Sequence, residues 1–556
     1  MLAFISFVFF AHLLFVVNTT SYWDSCAYIY NIVHGKYDTF ILPWDQNGRS
    51  LMGAIYWLIG HNIATLLHIN SSLMFRLFSL FGIILSGLLV YALLRKFMRL
   101  DKITCFFIIM LGAIYPAYQV HLSFTTIIFV LCLPFYLISL YLALLQDQTS
   151  PLLKKFSIRI ISIICLLISF ISEATIPMTF IIVIILFAYE YKSHHLSRFL
   201  NILKFLASHI DYIAIPFLYL FFMMKYMAPY GPYATSRTLD LSSLALSKIA
   251  IDYLSVGFNI GTLIPFANYS FYTFNLFHIN WLNINLSLLA LGVILLLYLF
   301  NKHKQLTTQK PIKNILLKKY FLLFCLGIIA FLISVSTFIA ANRSPTFDGW
   351  GIRFLTIAAF PFSITVISYI KILLLLINKN KAKIFIAIMS IIIALTTITL
   401  YKNYLTWISR NAIDESITIN LQRDKSISRP PPAIVIKQYF MPVFGEAYRY
   451  YEWTYIVNKA WPTTPTIAFY DNPTGAVSLQ DIKKYIKFFC DQGEHDLVRD
   501  VNLKIPPMII SIETSRNINW LLGGKYLANK LLLSGKNFND WLQSLVTIHV
   551  ENEHVR

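Results

Sequence analysis

Asp24 is the residue whose type and position most directly suggest chemistry. It follows a hydrophobic run at residues 2–18 and stands at the start of a predicted short helix at residues 24–33. A carboxylate at such a corner, partly shielded from water, is suited to take a proton from a hydroxyl group as a general base. The same position suits a helix N-cap, because an aspartate there accepts hydrogen bonds from free backbone N–H groups. The position by itself leaves both roles open.

Other polar residues form a secondary set of candidates. Tyr28 lies one helical turn after Asp24 and shares its face of the predicted helix. Glu173 lies in a tight turn, ISFISEATIPM, between two very apolar segments, where an ionised group is costly and is usually functional or paired. Its alternative role is to cap the helix that follows. Asp45 and Arg49, in the segment PWDQNGR, complete the set.

Three arginines, Arg76, Arg343 and Arg353, stand at ends of hydrophobic runs on what is predicted below to be the outer face. A guanidinium group binds phosphate oxygens through two parallel hydrogen bonds, so these residues could hold the phosphate or pyrophosphate of a membrane lipid. For each arginine alone, the ordinary alternative is a side chain that reaches from the membrane to water. The scarcity of cations on this face favours a binding role for at least one of them.

The composition is that of a membrane protein, because 57% of the residues are hydrophobic and only 13% are charged. The formal charge of +20 lies mainly in short loops between hydrophobic runs, where membrane topology explains it, so no nucleic-acid partner is predicted. The histidines and the six cysteines show no spacing typical of a metal site or a disulfide framework. No metal is therefore predicted.

Hydrophobic runs near the length of a transmembrane helix, about 20 residues, recur through the first 400 positions. The sequence predicts about eleven such helices, at residues 2–18, 73–95, 103–118, 124–145, 157–172, 175–190, 206–226, 283–300, 320–340, 353–377 and 384–401.

The distribution of lysine and arginine predicts the orientation of these helices, because positive loops stay on the cytoplasmic side. The loops after every second helix are rich in cations, beginning with Arg95, Lys96, Arg99 and Lys102, whereas the alternate loops hold few. The N-terminus is therefore expected inside. The loops at residues 19–72 and 227–282 are expected outside, and residues 51–67 are expected to form a helix on the membrane surface.

Beyond residue 401 the chain becomes more polar. Residues 402–556 mix strand-like runs (AIVIKQYF, TIAFY, MIISI) with helical ones (LQDIKKYIKFFC, NDWLQSLVTI). The expected fold is therefore a mainly α-helical polytopic membrane domain at residues 1–401, followed by a small mixed α/β domain at residues 402–556 on the outer face.

Two stretches of the chain resemble a known family. The first runs from WDSCAYIYNIVHGKYD to LHINSSLMFRLFSLFGIILSGLLVYALLRKFM, and the second is GIRFLTIAAFP at residues 351–361. Together they resemble the GT-C glycosyltransferases, particularly the branch of protein mannosyltransferases and aminoarabinose transferases, with Arg76 and Arg353 on arginines of the family pattern. Three positions depart from it. The Pro-Pro pair that often precedes the surface helix in the family is replaced by Gly48–Arg49–Ser50. Asp24 is followed by Ser25 where the family often has an acidic pair, and Glu173 stands where aminoarabinose transferases often carry a lysine.

The resemblance implies an inverting transfer of one sugar from a polyprenyl-phosphate donor to a lipid, a lipid-linked glycan or O-antigen, lipopolysaccharide or another cell-envelope acceptor. It implies that Asp24 is the general base, that the arginines hold the lipid phosphate, and that grooves between helices hold the polyprenyl tail. The expected location is a bacterial inner membrane, with the active site and the C-terminal domain facing the periplasm.

Other functions remain open at this stage. A transporter or flippase of lipid-linked sugars would use the same lipid, and an O-antigen polymerase or ligase would use related chemistry. A membrane scaffold for the C-terminal domain is a further alternative. A divalent metal cofactor has no support in the sequence.

Overall fold

The structure is a computed structural model. It describes residues 1–17, 25–115, 117–118, 123, 126–146, 151–194, 199–231, 311–340, 350–377, 381–424, 427, 433–440, 448–462, 466–471, 508–514 and 516–551. These residues are mostly helical, with a small sheet near the C-terminus.

The N-terminal part consists of helices. They are α1 (Leu2–Ala11), α2 (Leu13–Val17), α3 (Ser25–Val33), α4 (Tyr37–Gln46), α5 (Ser50–Trp57), α6 (Ala64–Leu66), α7 (Ser71–Lys96), α8 (Lys102–Ala113), α9 (Ile127–Gln146), α10 (Leu152–Ser169), α11 (Thr179–His194), α12 (Phe199–Ser208), α13 (Ile210–Tyr226), α14 (Pro311–Ala340), α15 (Ala359–Ile377) and α16 (Lys381–Arg423). A π-helical turn at Leu58–Ile63 joins α5 to α6, and 3-10 helices at Phe170–Ser172 and Trp350–Ala358 follow α10 and precede α15.

Six of the described helices are long and apolar enough to cross a membrane, which is compatible with a membrane protein. A seventh span results if Ile202–Ser208 and Ile210–Tyr226, bent by 55°, count as one. The prediction of about eleven spans is not confirmed. The predicted run at 2–18 is broken at His12, and α8 and α11 are shorter than a span requires. The predicted span at 283–300 lies outside the described residues.

Contacts between helices define two ends of this bundle. At one end, called here the basic end, Lys319 Nζ donates to the main-chain oxygen of Arg99 over 2.8 Å, and Lys371 lies 3.9 Å from Asp101. Lys96 Nζ donates to Tyr141 at the same end. These contacts join loops that the sequence predicts to be cytoplasmic. The compartment that each end faces remains a prediction.

The end remote from these contacts, called here the opposite end, carries the first long loop. Its helices α3 to α6 pack with the start of α7 around a small apolar core of their own. The π-helical turn lies close against α7 because residue 60 is a glycine: a methyl group there would lie 2.6 Å from the Phe75 ring. Residues 50–66 are thus helical, as expected for the predicted surface helix at 51–67, whereas α4 was not predicted.

The C-terminal part contains β1 (Ala433–Tyr439), α17 (Tyr450–Ala460), β2 (Ile467–Asp471), β3 (Met508–Thr514), α18 (Trp520–Leu532), α19 (Gly535–Gln543) and β4 (Val546–Glu551). The strand order is β2-β1-β3-β4, with β1 parallel to both of its neighbours and β4 antiparallel to β3. Register pairs include Val435 with Phe469 and with Ile509. The three predicted strands are confirmed, and β4 falls where the sequence suggested the end of a helix.

Helix α16 connects the two parts of the chain. Its 43 residues correspond to about 65 Å, roughly twice the thickness of the hydrocarbon core of a bilayer. It passes the predicted domain boundary at residue 401, and Ile408, Ile413 and Ile417 pack into the core of the C-terminal part. The same helix therefore belongs to both parts and fixes one against the other.

Candidate functional site

Arg76 is the candidate that the structure describes most fully. Asn70 caps the N-terminus of α7, and Arg76 follows in the second turn with only 2% of its surface exposed. Its Nη1 donates to the main-chain oxygen of Phe15 over 3.0 Å, and its Cζ lies 5.6 Å from the centre of the Phe15 ring. Taking a guanidinium group out of water is costly, so its position needs compensating partners.

A buried histidine holds the elements around Arg76 together. The imidazole of His12 lies 2.7 Å from the Tyr404 hydroxyl through Nδ1 and 2.9 Å from the Ala113 oxygen through Nε2. A carbonyl oxygen only accepts, so Nε2 carries the proton and Nδ1 of the neutral ring accepts from Tyr404. The Tyr404 ring also packs 5.9 Å from Phe15, the residue that binds Arg76. Helices α1, α2, α8 and α16 thus meet beside Arg76.

Asp24 lies outside the described residues, and the structure leaves its two alternative roles open. The segments on either side of it are described. Before it, α2 contacts α7; after it, α3 contacts α7 and also α17 of the C-terminal part. Ser25, the next residue in sequence, is buried, with its hydroxyl 2.6 Å from that of Ser123. Both flanks of Asp24 are therefore held against the helix that carries Arg76.

Two of the secondary candidates, Arg49 and Glu173, form an ion pair. Arg49 Nε donates to Glu173 Oε1 over 3.0 Å and Nη2 donates to Oε2 over 2.8 Å, a bidentate geometry. Burial alone would lower the pKa of Arg49, but the charge and hydrogen bonds of Glu173 outweigh burial and raise this pKa. Glu173 is thus paired through its side chain, and the following helix α11 begins only at Thr179.

The backbone of Glu173 is strained. Its φ of +55° lies in the left-handed region, which residues other than glycine rarely adopt. The strained turn is tied down by main-chain hydrogen bonds from Glu173 N to Phe170 O and from Ile176 N to Glu173 O, at 2.8 and 3.2 Å. Strain of this kind is of the order of 1–3 kcal/mol and persists only where surrounding structure enforces it.

The remaining sequence candidates lie apart from this arrangement. The ring of Tyr28 packs 5.5 Å from Phe40 and 5.2 Å from Trp44, inside the small core of the first loop. Asp45 lies in the last turn of α4, where its main-chain oxygen accepts from Gly48 N. Arg343 lies outside the described residues.

Arg353 lies on the 3-10 helix that precedes α15. Its main-chain oxygen accepts from Thr356 Oγ1 over 2.8 Å, and its helix contacts α9 and α14. Helix α7, which carries Arg76, also contacts α9. Both arginines are therefore on elements that pack against the same helix.

An apolar cavity of about 100 Å³ lies between α7, α9, α11, α14 and α15. Its walls are almost entirely hydrocarbon, and the hydroxyl of the lining residue Tyr136 already donates to Met178 O over 3.0 Å. Such a cavity suits a short segment of an apolar chain rather than a polar ligand. Representative lining residues are Leu94, Phe97, Leu137, Ile181, Leu326 and Phe360.

The sequence did not single out His12 or Tyr404. A histidine inside an otherwise apolar run was a signal for His12, because a buried imidazole needs hydrogen-bond partners. Tyr404 gave no signal, since its partner is 392 positions away in the chain. Within the described ranges, no group of three or more His, Cys, Asp or Glu side chains could hold a metal ion.

No protein-family model, curated protein or solved structure matches the chain.

Proposed function

We propose that the chain is an integral-membrane glycosyltransferase of the GT-C type. In this proposal it transfers one sugar from a polyprenyl-phosphate donor to a lipid, a lipid-linked glycan such as O-antigen, lipopolysaccharide or another cell-envelope acceptor. The site is at the opposite end of the bundle, on the periplasmic face of a bacterial inner membrane. The full topology has about eleven spans, including those outside the described residues.

The observation that carries the proposal is the burial of Arg76. Its guanidinium group is 2% exposed and is oriented by the Phe15 carbonyl, on a helix that contacts both flanks of the segment containing Asp24. A fixed, desolvated guanidinium group binds a phosphate much more strongly than a solvated one. A carboxylate and a phosphate-binding cation are the two groups that sugar transfer from a lipid phosphate requires.

The proposed reaction uses these groups as follows. Asp24 accepts the proton of the acceptor hydroxyl, whose oxygen bonds to the anomeric carbon of the sugar from the face opposite the phosphate. The bond between this carbon and the phosphate oxygen breaks, its electron pair stays on the phosphate, and the configuration inverts. Arg76 stabilises the negative charge of the departing polyprenyl phosphate, with Arg353 and Arg343 as further candidates.

In this proposal the apolar cavity holds part of the polyprenyl chain of the donor. The cavity between α7, α9, α11, α14 and α15 is bounded by elements that carry Arg76 or directly follow Arg353, and its walls are apolar. Its lining residues on α7 and just after it lie between Val90 and Met98, more than three helical turns from Arg76, so a long chain is required to reach both. Polyprenyl chains have that length.

The test is a transfer assay with purified protein in lipid nanodiscs, a set of polyprenyl-phosphate sugars and a set of envelope acceptors. Wild type should transfer the sugar, Asp24→Asn should lose turnover while it still binds donor, and Asp38→Asn should remain active. Asp38 is the matched control because it is an exposed acid of the same loop. Full turnover in Asp24→Asn would remove Asp24 as the base. Donor movement across proteoliposome membranes without sugar transfer would support a flippase instead.

A further inference from the structure

Helix α18 of the C-terminal part packs directly on α16, the helix that connects the two parts of the chain. Gly523 allows this contact, because a methyl group at that position would collide with the main-chain oxygen of Leu405. Farther along, the Tyr526 hydroxyl donates to Glu415 Oε1 over 2.8 Å. At the start of α18, Lys402 Nζ lies 5.6 Å from the centre of the Trp520 ring. The two helices therefore run side by side in the same direction.

The sequence of α16 gives the depth of these contacts relative to a bilayer. Its apolar stretch from Ala382 to Tyr401 has about the 20 residues that cross the hydrocarbon core. Lys402 is thus the first residue at the headgroup level, and Glu415 lies about 20 Å farther along the helix. The start of α18 is at the membrane surface, and its end points away from it.

The side chains at the start of α18 have the character of a membrane interface. Trp520 and Leu521 are 36% and 53% exposed, and Lys525 is exposed one turn later. Tryptophan with leucine and lysine is typical of the headgroup region, where an indole ring lies between lipid and water and lysine contacts lipid phosphates. The other face of the helix, with Leu522 and Tyr526, is buried.

We infer that Trp520, Leu521, Lys525 and Lys402 form a lipid-binding surface for anionic phospholipid headgroups. The apolar side chains enter the interface and the lysines contact the phosphates. This surface fixes the C-terminal part against the bilayer at a point that α16 sets, and it is independent of the proposed enzymatic function. Two features favour anionic lipid as the molecule that covers this surface. Both lysines are positively charged, and the surface directly follows the transmembrane stretch of α16.

The same helix provides a matched control. Leu531 and Leu532 are 83% and 82% exposed, more than Leu521, but they lie roughly 15 Å farther from the membrane end of α18. If exposure alone determined lipid contact, these residues would contact lipid as well. Their distance from the membrane, as inferred from α16, predicts that Leu531 and Leu532 do not contact lipid.

The test measures depth with nitroxide labels on Leu521→Cys and Leu531→Cys in full-length protein in phosphatidylglycerol nanodiscs. Wild type labelled in parallel gives the signal of native cysteines, which is subtracted. Collisions of each label with lipid-soluble oxygen and with a water-soluble nickel complex are compared. The ratio of oxygen to nickel collisions should be at least about threefold higher at position 521 than at position 531.

Three other results would overturn the inference. Equal ratios at both positions, in the aqueous range, would mean that position 521 is in water. Protection of position 521 from both reagents would mean that protein covers it. An unchanged ratio at position 521 after Lys402→Glu and Lys525→Glu, or in phosphatidylcholine nanodiscs, would remove the preference for anionic lipid.

Discussion

The two ends of the helical bundle hold similar charged contacts in different settings. Each has a bidentate pair between an arginine and a carboxylate. Arg49 and Glu173 are 26% and 17% exposed at the opposite end, and Arg159 and Asp211 are 25% and 22% exposed at the basic end. Each also has an arginine that donates to a main-chain oxygen, Arg76 to Phe15 and Arg95 to Leu100.

The settings differ in burial, whereas a non-glycine residue with a positive φ occurs at both ends, Glu173 at the opposite end and Arg99, at +49°, at the basic end. Asp211 lies in the first turn of a regular helix, whereas Glu173 has a φ of +55°. Arg95 is half-buried, whereas Arg76 is buried. The predicted topology accounts for cations at the basic end, but it does not account for a buried cation at the end where few cations are expected. The site proposed for the opposite end rests on that contrast in burial, and the variants below test it in order of expected effect.

A buried ion pair should contribute more to stability than an exposed pair. The C-terminal part contains one pair of each kind. Arg410 Nη2 lies 2.6 Å from Glu452 Oε1, and both side chains are almost fully buried. Glu452→Ala should lower the free energy of unfolding by about 3–5 kcal/mol, because it removes the salt-bridge partner of a buried guanidinium group. Asp540→Ala, which breaks the exposed pair with Arg423, should cost less than about 1 kcal/mol. Equal losses in thermal unfolding would show that burial is not the decisive variable.

Arg76→Ala should lower the rate of sugar transfer by about 10²–10³-fold, the usual effect of losing one group that stabilises charge in a transition state. Arg95→Ala is the matched variant at the basic end and should change the rate by less than about threefold. Arg76→Lys should recover only part of the activity, since an ammonium group keeps the charge but not the bidentate geometry. Similar losses for Arg76→Ala and Arg95→Ala would abolish the contrast between the ends.

The two bidentate pairs should have similar coupling energies but different effects on activity. Double-mutant cycles with Arg49→Ala and Glu173→Ala, and with Arg159→Ala and Asp211→Ala, should each give about 1–2 kcal/mol in stability. Only the first cycle should change the transfer rate, because only that pair lies at the opposite end. A rate change in the second cycle, at constant protein level, would argue against this assignment.

The smallest expected effect concerns Asp101 at the basic end. Hydrogen bonds from Thr104 and the charge of Lys371 outweigh the effect of partial burial and lower the pKa of Asp101. A lowered folded-state pKa gives a stabilisation that is present above the unfolded pKa, about 3.9, and is lost as pH falls through the folded value.

Asp101→Asn keeps an N-cap residue for α8 but removes the charge. Its destabilisation should be below about 1 kcal/mol near neutral pH, because Asp101 is half-exposed. It should shrink further as the pH falls below about 4, as followed by thermal unfolding. A difference that grows on acidification would contradict the lowered pKa.

Local patterns in the sequence predicted much of the fold. The alternation and β-branched residues of AIVIKQYF, TIAFY and MIISI predicted β1, β2 and β3, and the apolar run at 73–95 predicted α7 within two residues at its start. Helix α4 was missed because YDTFILPWDQ contains Pro43, and a proline inside a segment usually ends a helix. Strand β4 was missed because VTI follows a helical pattern without a break.

The site was less predictable than the fold. Its candidates were named one by one from residue type and position, but their partners are remote in sequence. The pairing of Arg49 with Glu173 spans 124 positions, and that of Arg76 with Phe15 spans 61. Only the packing of α2, α5, α7 and the turn after α10 brings these groups together, and no local pattern contains that information.

Binding of lipid phosphate is the property that should separate the two ends most directly. Native mass spectrometry of protein released from nanodiscs can measure the affinity for polyprenyl phosphate without knowledge of the sugar or the acceptor. Arg76→Ala should weaken this affinity by about 10- to 100-fold, the value of charge-assisted hydrogen bonds to a phosphate, while Arg95→Ala leaves it unchanged. Equal affinities in wild type, Arg76→Ala and Arg95→Ala would contradict a lipid-phosphate site at the opposite end.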